Sequence, residues 1–415
     1  MAGEAGALKR TDLRRVVGVL SLTQITSWGV LYYAFPVLAP TMAEQTGWSL
    51  AALTAAFSTS QVVAALTGIG VGRGIDRFGP RAIMTAGSVL AVPAVVVIAT
   101  ATAYLTFFLG WLLAGVAMAG VLYPPAFAAL TGWGGHRRVH ALTTLTLVAG
   151  LASTVFAPLA AVLNSQYGWR TSYLVLVAVL AVVTIPAHWF GLRAPWLPSH
   201  TAADRSPAQQ ARAARTIWSS RAFIVLAVSM SAVSFCVFAV VINLVPLLMS
   251  RGLSTEAAAV ALGVGGVGQV AGRLGYARFA ARTTVATRTT WVFGAVALST
   301  ALLAVVPGPT AAFMAISMLV GVARGVFTLI QATAISDRWG PNSFGHLNGI
   351  LTSPVLFAAA VAPFAGSALA TLTGGQTGAF LVLSAVAFAA VLMVRATIPP
   401  VRRAASSGNP GSREH

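Results

Sequence analysis

A dozen long apolar stretches follow one another along this chain, separated by turns of only a few polar residues. That repetition constrains the fold more than any single motif does. About 20 predominantly apolar residues cross the hydrocarbon core of a bilayer as a helix, so twelve helices take up about 240 residues. The rest of the 415 residues suits short turns, one longer central connection and two tails. Composition agrees: 57% of residues are hydrophobic and 8% charged, with a mean hydropathy of +0.83. Soluble domains carry roughly 25% charged residues. The sequence therefore predicts an all-α polytopic membrane protein with twelve transmembrane helices.

A net charge of +18 would suggest a nucleic-acid partner in a soluble protein. Here the arginines stand singly or in pairs between apolar stretches, which is the pattern of positive-inside topology. That reading leaves no nucleic acid, and the lipid bilayer is the expected partner. All but three of the 26 basic residues fall on one side of the predicted map; Arg170 and Arg251 fall on the other, and Arg324 lies within a helix. Both termini are then cytoplasmic and the number of spans is even. Lys9 is the single lysine, and with abundant Ala and Gly this usage suggests a GC-rich bacterial genome. A bacterial cytoplasmic membrane is the expectation. Cys236 is the only cysteine, so no intrachain disulfide can form. The basic lead has no small-residue cleavage site before helix 1, which reads as a retained anchor.

In chain order, helices are expected over 15–40, to about 72, 82–101, 104–131, 140–163, to about 192, 221–249, 256–274, 289–306, 310–334, 346–371 and 378–397. Helix 1 places Gln24, Trp28, Tyr32 and Phe35 on one face. Residues 193–220 break the pattern with prolines and charges, and read as a cytoplasmic linker with a short amphipathic helix near 207–218. Between helices 2 and 3, Gly72-Arg73-Gly74-Ile75-Asp76-Arg77-Phe78-Gly79-Pro80-Arg81 packs arginines around one carboxylate. Glycine lets a chain reverse where a side chain would clash, and Pro80 suits a first helical turn. Asp76 is expected to be held by charge pairing and by backbone N–H groups near a helix start.

This turn resembles the loop between helices 2 and 3 of the major facilitator superfamily, G-x-x-x-D-R-x-G-R-R. Gly72, Asp76, Arg77, Gly79 and Arg81 match it, and Pro80 replaces one basic residue. Internal repetition at an offset near 200 extends the resemblance to the whole chain. Gly68, Gly72 and Arg73 correspond to Gly268, Gly272 and Arg273. Gly115-Val116-Ala117-Met118 corresponds to Gly321-Val322-Ala323-Arg324, and Ala157-Pro158-Leu159-Ala160 to Ala362-Pro363-Phe364-Ala365. The resemblance implies two six-helix bundles, 1–192 and 221–415, joined by the linker 193–220, with a site between them at mid-membrane. It also implies a monomeric carrier with a small-molecule substrate and a coupling ion as partners, with the 72–81 turn as a cytoplasmic gate and helices 1, 4, 7 and 10 lining the cavity.

Arg137-Arg138 before helix 5 and the aromatic helix 1 look like the monocarboxylate-porter-like and related bacterial branches. Drug/proton antiporters usually carry an arginine shortly before the Gly115 position, where this chain has Leu112-Leu113. Their helix-5 glycine-proline motif is replaced here by Ala157-Pro158-Leu159-Ala160.

The residues expected to line the cavity are Gln24, Trp28, Tyr32, Tyr123, Asn243, Arg324, Thr328 and Gln331. Arg324 is the one charge inside a span. An arginine at mid-helix costs about 2.5–3.5 kcal/mol on insertion scales, so it normally faces water or a partner. Thr328 and Gln331 extend one polar stripe from it, and its counterpart in the other half is Met118. The competing reading ties Arg324 to backbone carbonyls at a helix kink. All eight acidic residues lie outside the middles of the predicted helices. His140, His188 and His346 sit near cytoplasmic helix ends, where structural roles compete with titration. His136 and His140 lack a third metal ligand nearby. No nucleophile elbow, phosphate loop or metal cluster occurs, so neither an enzyme nor a cofactor is expected. The function that follows is a secondary carrier of a small solute, an organic or inorganic anion. The alternatives are an efflux carrier for a neutral or drug-like compound, and a non-transporting receptor on the same fold.

Overall fold

The computed structural model describes residues 8–196, 216–340 and 344–399, and they form helices with no strand among them. The helix proposed near 207–218 and the C-terminal tail lie wholly or mostly outside the described residues, as do the central part of the linker and the His346 side chain. Ten continuous helical runs are long and apolar enough to span a membrane. Two of them are too long to cross once. Leu50–Thr100 has 51 residues and Arg138–Gly191 has 54, about 77 and 81 Å at 1.5 Å per residue, against a hydrocarbon core of about 30 Å.

Each long run holds one glycine in the left-handed region, Gly79 (φ 78°) and Gly168 (φ 73°), where a β-carbon would strain the backbone. Past Gly79 the chain doubles back, so that a methyl on Gly74 would come within 2.8 Å of Ile83 Cδ1. The arms are numbered accordingly. α1 is Arg10–Thr46, α2 and α3 are 50–78 and 80–100, α4 is Tyr104–Gly134, and α5 and α6 are 138–167 and 169–191. α7 is Arg221–Ser250, α8 Thr255–Ala281, α9 Val285–Val305, α10 Thr310–Thr333, α11 Phe344–Leu372 and α12 Gln376–Thr397.

Helix starts are written locally. Ser49, Ser220, Ser254 and Thr284 each accept the backbone N–H three residues on, at 3.1–3.3 Å, satisfying a donor that has no partner inside the helix. Packing then rests on close helix pairs. Gly115 of α4 lies on the Ser60 backbone of α2, and Gly87 of α3 on Gly120 of α4. In the later part, methyls at Gly268, Gly321 and Gly325 would collide with the carbonyls of Met318, Gly265 and Gln269, locking α8 to α10.

Three seams join the earlier helices to the later ones. Ser58 Oγ of α2 accepts the Phe364 N–H of α11 (3.0 Å). Thr154 Oγ1 of α5 donates to the Gly263 carbonyl of α8 (2.8 Å). The second half of α1 packs on α7. At that end α1 is buried from Val30 to Ala39 and α7 from Ala239 to Val245. At the other end, which carries the Gly79 turn and the start of α5, Arg10, Arg14 and Gly18 of α1 are exposed beside a cavity of about 670 Å³. The molecule is shut at one end and open at the arginine-rich one.

Candidate functional site

Pro124 and Pro125 shape the first wall. Neither has a backbone N–H, so the carbonyls a turn earlier lose their helical donors, and α4 breaks at Leu122 (ψ −162°). Gln24 of α1 fills the gap: its Nε2 donates to the carbonyls of Val121 (2.6 Å) and Leu122 (3.3 Å). The bond pins α1 to the break and sets the Tyr123 ring 5.0 Å from Trp28. Gln24 thus holds the wall together, with its own Oε1 buried and unpartnered.

One turn on, α1 passes through a π turn, Gly29–Tyr33. Such single-turn bulges occur frequently at functional sites. Gly29 is pressed against the Phe156 ring of α5, where a side chain would overlap it. The extra residue shifts the aromatic face. Tyr32 packs edge-on to Trp28 and Phe57 (both 5.2 Å) and near Phe238 of α7 (6.4 Å). Phe35 leaves the face expected for it and stacks on Phe57 at 4.4 Å, in the core. Tyr33 takes the position toward Arg324, its ring 5.9 Å from the guanidinium carbon.

The opposite wall is the rigid α8–α10 pair. Arg324 is 7% exposed and donates Nη2–H to Gln269 Oε1 of α8 at 2.6 Å. Its partner is thus a side-chain amide, with neither an acid nor a kinked backbone involved. Arg273 lies one turn past Gln269 on the same face, is 8% exposed, and donates to the Thr146 carbonyl of α5. Tyr123 lies in the field of both guanidiniums, and Tyr32 in that of Arg324.

Several donors here have no partner: Arg273 Nε, Arg324 Nε, Trp28 Nε1 and the Tyr32 hydroxyl are all buried without one. The described acidic residues Asp12, Glu44, Asp76, Glu256 and Asp337 all lie at or beyond helix ends. The one ion pair among the described residues, Arg288–Asp337, lies at the arginine-rich end. The cluster is rich in donors and poor in acceptors, which suits an acceptor-only ligand such as a carboxylate.

Arg273, Gln269 and Tyr33 are absent from the residues expected to line the site. Helix 8 was expected to end near 274, which made Arg273 a topological charge; α8 in fact continues to Ala281. Tyr33 is hidden because a 3.6-residue period cannot anticipate a π turn. Of the other expected residues, Thr328 is exposed and turns its hydroxyl back to the Arg324 carbonyl (2.9 Å). Gln331 is half-buried a turn further. Asn243 is engaged elsewhere: it donates to the carbonyls of Ala239 (2.9 Å) and Pro363 (3.5 Å) and accepts from Ser367 Oγ (2.8 Å). It joins α7 to α11 where Pro363 interrupts the backbone ladder.

The Gly72–Arg81 turn corrects one expectation. Asp76 is exposed, with no ion pair or hydrogen bond among the described residues. The reason is position: Asp76 precedes the Gly79 break and so sits at the C-terminal end of α2, where free carbonyls replace the N–H groups of a helix start. The arginines turn instead to aromatic rings, Arg77 over Phe78 (5.0 Å) and Arg81 over Trp189 (4.1 Å). Gly72 stays helical with open space around it, and the reversal belongs to Gly79 alone. His188 is fully buried, its Nδ1 2.9 Å from Ser88 Oγ.

At the same end of the later helices, Arg288 at the start of α9 pairs with Asp337 just after α10, which also accepts from Thr333 Oγ1 (2.7 Å). Arg338 reaches Thr289 of α9 (3.3 Å) and Thr397 of α12 (3.2 Å). Burial pulls the Arg338 guanidinium down to about 10, with Asp337 opposing the shift and Arg288 adding to it.

Residues 20–311 match the sequence model of the Major Facilitator Superfamily. Over 247 residues, 58% of this chain, the sequence is 32% identical to monocarboxylate transporter 11 of Homo sapiens. It is 29% identical over 234 residues to that of Mus musculus. The aligned segment spans 50% of each of these relatives. The fold superposes on a crystal structure of the nucleoside transporter NupG with a TM-score of 0.72 at 15% identity, covering 93% of this chain and 100% of that one. A bacterial homologue of the human lysosomal transporter Spinster, inward-facing and unoccupied, gives a TM-score of 0.70 at 16% identity over 94% and 96%.

Proposed function

The chain belongs to the major facilitator superfamily, and from that premise we propose that it is a secondary carrier of a small organic anion, working by alternating access. One observation carries the reading. Arg273 and Arg324 are buried beside each other's tyrosine neighbours with no carboxylate among the described residues to neutralise them. An unpaired buried charge is strongly unfavourable, and an anionic substrate group relieves two at once. The planar guanidinium fork suits a carboxylate. Trp28, Tyr32 and Tyr123 then supply apolar walls for the body of the substrate. Among anions, the names of the curated relatives favour a monocarboxylate.

The remaining parts of the reading fit this one. The two over-long runs, each broken at a left-handed glycine, bring ten helical runs to twelve spans. On this reading they form two halves of six that meet at the three seams. Positive-inside topology orients the arginine-rich end, and with it both termini, to the cytoplasm of a bacterial cell. The shut opposite end then makes this the state that exchanges substrate with the cytoplasm. The carrier acts as a monomer.

Uptake into proteoliposomes tests the assignment with benzoate, L-lactate and the neutral isostere benzamide. Benzoate or lactate should enter and benzamide should not. Arg324→Lys should weaken apparent affinity, and Arg324→Ala should abolish uptake. Equal entry of benzamide, or uptake indifferent to Arg324 in a folded protein, overturns it.

A further inference from the structure

We infer that the open cavity between α1 and α5 is a second anion site, an electropositive vestibule that gathers soluble organic anions before they reach the arginine pair. It is lined by Arg10, Arg14, Gly18 and Ser21 of α1, by Arg137 and His140 at the start of α5, and by Thr144 and Val148 further along that helix. Arg10, Arg14 and Arg137 are exposed and make no hydrogen bond or ion pair with described residues. Asp12 lies between the two α1 arginines in sequence but is not part of the lining, and no other described acidic residue contributes to it. Among the described residues the lining thus holds three permanent positive charges and one histidine.

Two observations make this a path as well as a charged rim. Ser21 is 6% exposed with its hydroxyl unpartnered, about 16 Å along α1 from Arg10 at 1.5 Å per residue. That places it one turn before Gln24 and the aromatic wall. On the other side, Thr144 and Val148 carry the lining well into α5, on the face opposite the Thr146 carbonyl that accepts from Arg273. The groove therefore runs from the exposed cations to the turn of α1 that precedes Gln24. A cleft lined by one sign of charge between low-dielectric walls concentrates the opposite ion and raises its association rate by 10- to 1,000-fold. Salt suppresses the effect once the Debye length falls below the width of the cleft.

This inference rests on the reading of the central cluster as an anion site, but its test does not require the substrate. Cys236 is fully buried, so the full-length chain offers an unreactive background for a cysteine placed at Thr144→Cys. The probes are two methanethiosulfonates, one carrying a sulfonate and one a trimethylammonium group, each normalised to its rate with a free thiol. At 10 mM salt in phosphatidylcholine vesicles the sulfonate should react at least tenfold faster, falling to within about twofold at 0.5 M salt. Adding Arg14→Gln and Arg137→Gln should bring the ratio to about one; Arg14→Gln alone should move it part of the way. Millimolar benzoate should slow the sulfonate reagent. A ratio near one before any arginine is removed, or unmoved by their removal, overturns the vestibule. Protection by phosphatidylglycerol vesicles without protection by benzoate gives the groove to lipid headgroups and overturns the solute assignment. Benzoate uptake by the unmodified protein is scored separately, so failure of the carrier reading and failure of the vestibule are told apart.

Discussion

The helix pairs α2–α4 and α8–α10 are built alike and used differently. In each, glycine brings two backbones into contact, Gly115 alone in the earlier pair and several glycines in the later, and a glutamine reaches across to position 118 or 324. In the earlier pair Gln61 Nε2 meets the Met118 sulfur at 3.3 Å, a weak contact. In the later pair Gln269 receives the Arg324 guanidinium at 2.6 Å. Close glycine packing is thus a scaffold indifferent to what it presents, and charge has been placed on one side only. Under the proposed carrier reading, an anion on Arg273 and Arg324 is held by the α8–α10 pair and walled by α1 and α4, and the first six helices move against a substrate that stays with the last six.

The sharpest way to break this comparison is to make the pairs equal. Arg324→Met should leave the protein folded and in the membrane, because Met118 shows that the site accepts a thioether, yet lower anion uptake by at least 100-fold. Measurable benzoate transport by that variant would remove the asymmetry from the mechanism. Asp337→Asn comes next. It leaves Arg288 and Arg338 without their carboxylate, and breaking a buried pair costs about 3–5 kcal/mol, less here because Asp337 is 23% exposed. A clear fall in thermal midpoint is expected, against none for Asp76→Asn. Equal midpoints would show that the paired carboxylate is as dispensable to stability as the solvated one.

Glycine substitutions give a smaller contrast. Gly272→Ala drives a methyl into the Val322 backbone of α10 and should cost about 1–3 kcal/mol, as over-packing does. Its sequence counterpart Gly72 faces open space, and Gly72→Ala should stay within about 0.5 kcal/mol. Denaturation in matched detergent compares the two. The smallest stability effect belongs to Asp76→Asn, which touches nothing in this state. It should nevertheless slow transport severely, since closing the arginine-rich end brings other helices toward that carboxylate. Normal turnover would reduce Asp76 to a solvated residue at a helix end.

Most of the architecture was legible because lipid imposes simple rules. A span needs about 20 apolar residues, arginines mark one side, and left-handed turns want glycine, as at Gly79 and Gly168. The aromatic face of α1 and the isolated charge at Arg324 are local facts of the sequence, and the structure brings Trp28, Tyr32, Tyr123 and Arg324 together. Partners were not legible. Gln24 looked like a cavity residue and serves a proline break ninety-odd positions away. Arg273 looked like a loop charge and lies inside α8. Asn243 looked like a cavity residue and joins α7 to α11, and Asp76 stays unpaired while Asp337 takes an arginine: the polar groups that matter to packing are those another helix happens to face.

The sequence by itself determined that this chain crosses a membrane repeatedly and where a single charge is buried, because those depend on composition and spacing along one dimension. Only the tertiary structure decided that the buried charge shares the neighbourhood of Tyr123 with a second buried arginine, that a π turn swings Tyr33 toward it and Phe35 away, and that α1 and α7 close together at one end. Each of these depends on which helix lies against which. That is fixed by close contacts between residues more than fifty positions apart, such as Gln269 and Arg324, and no local period records them.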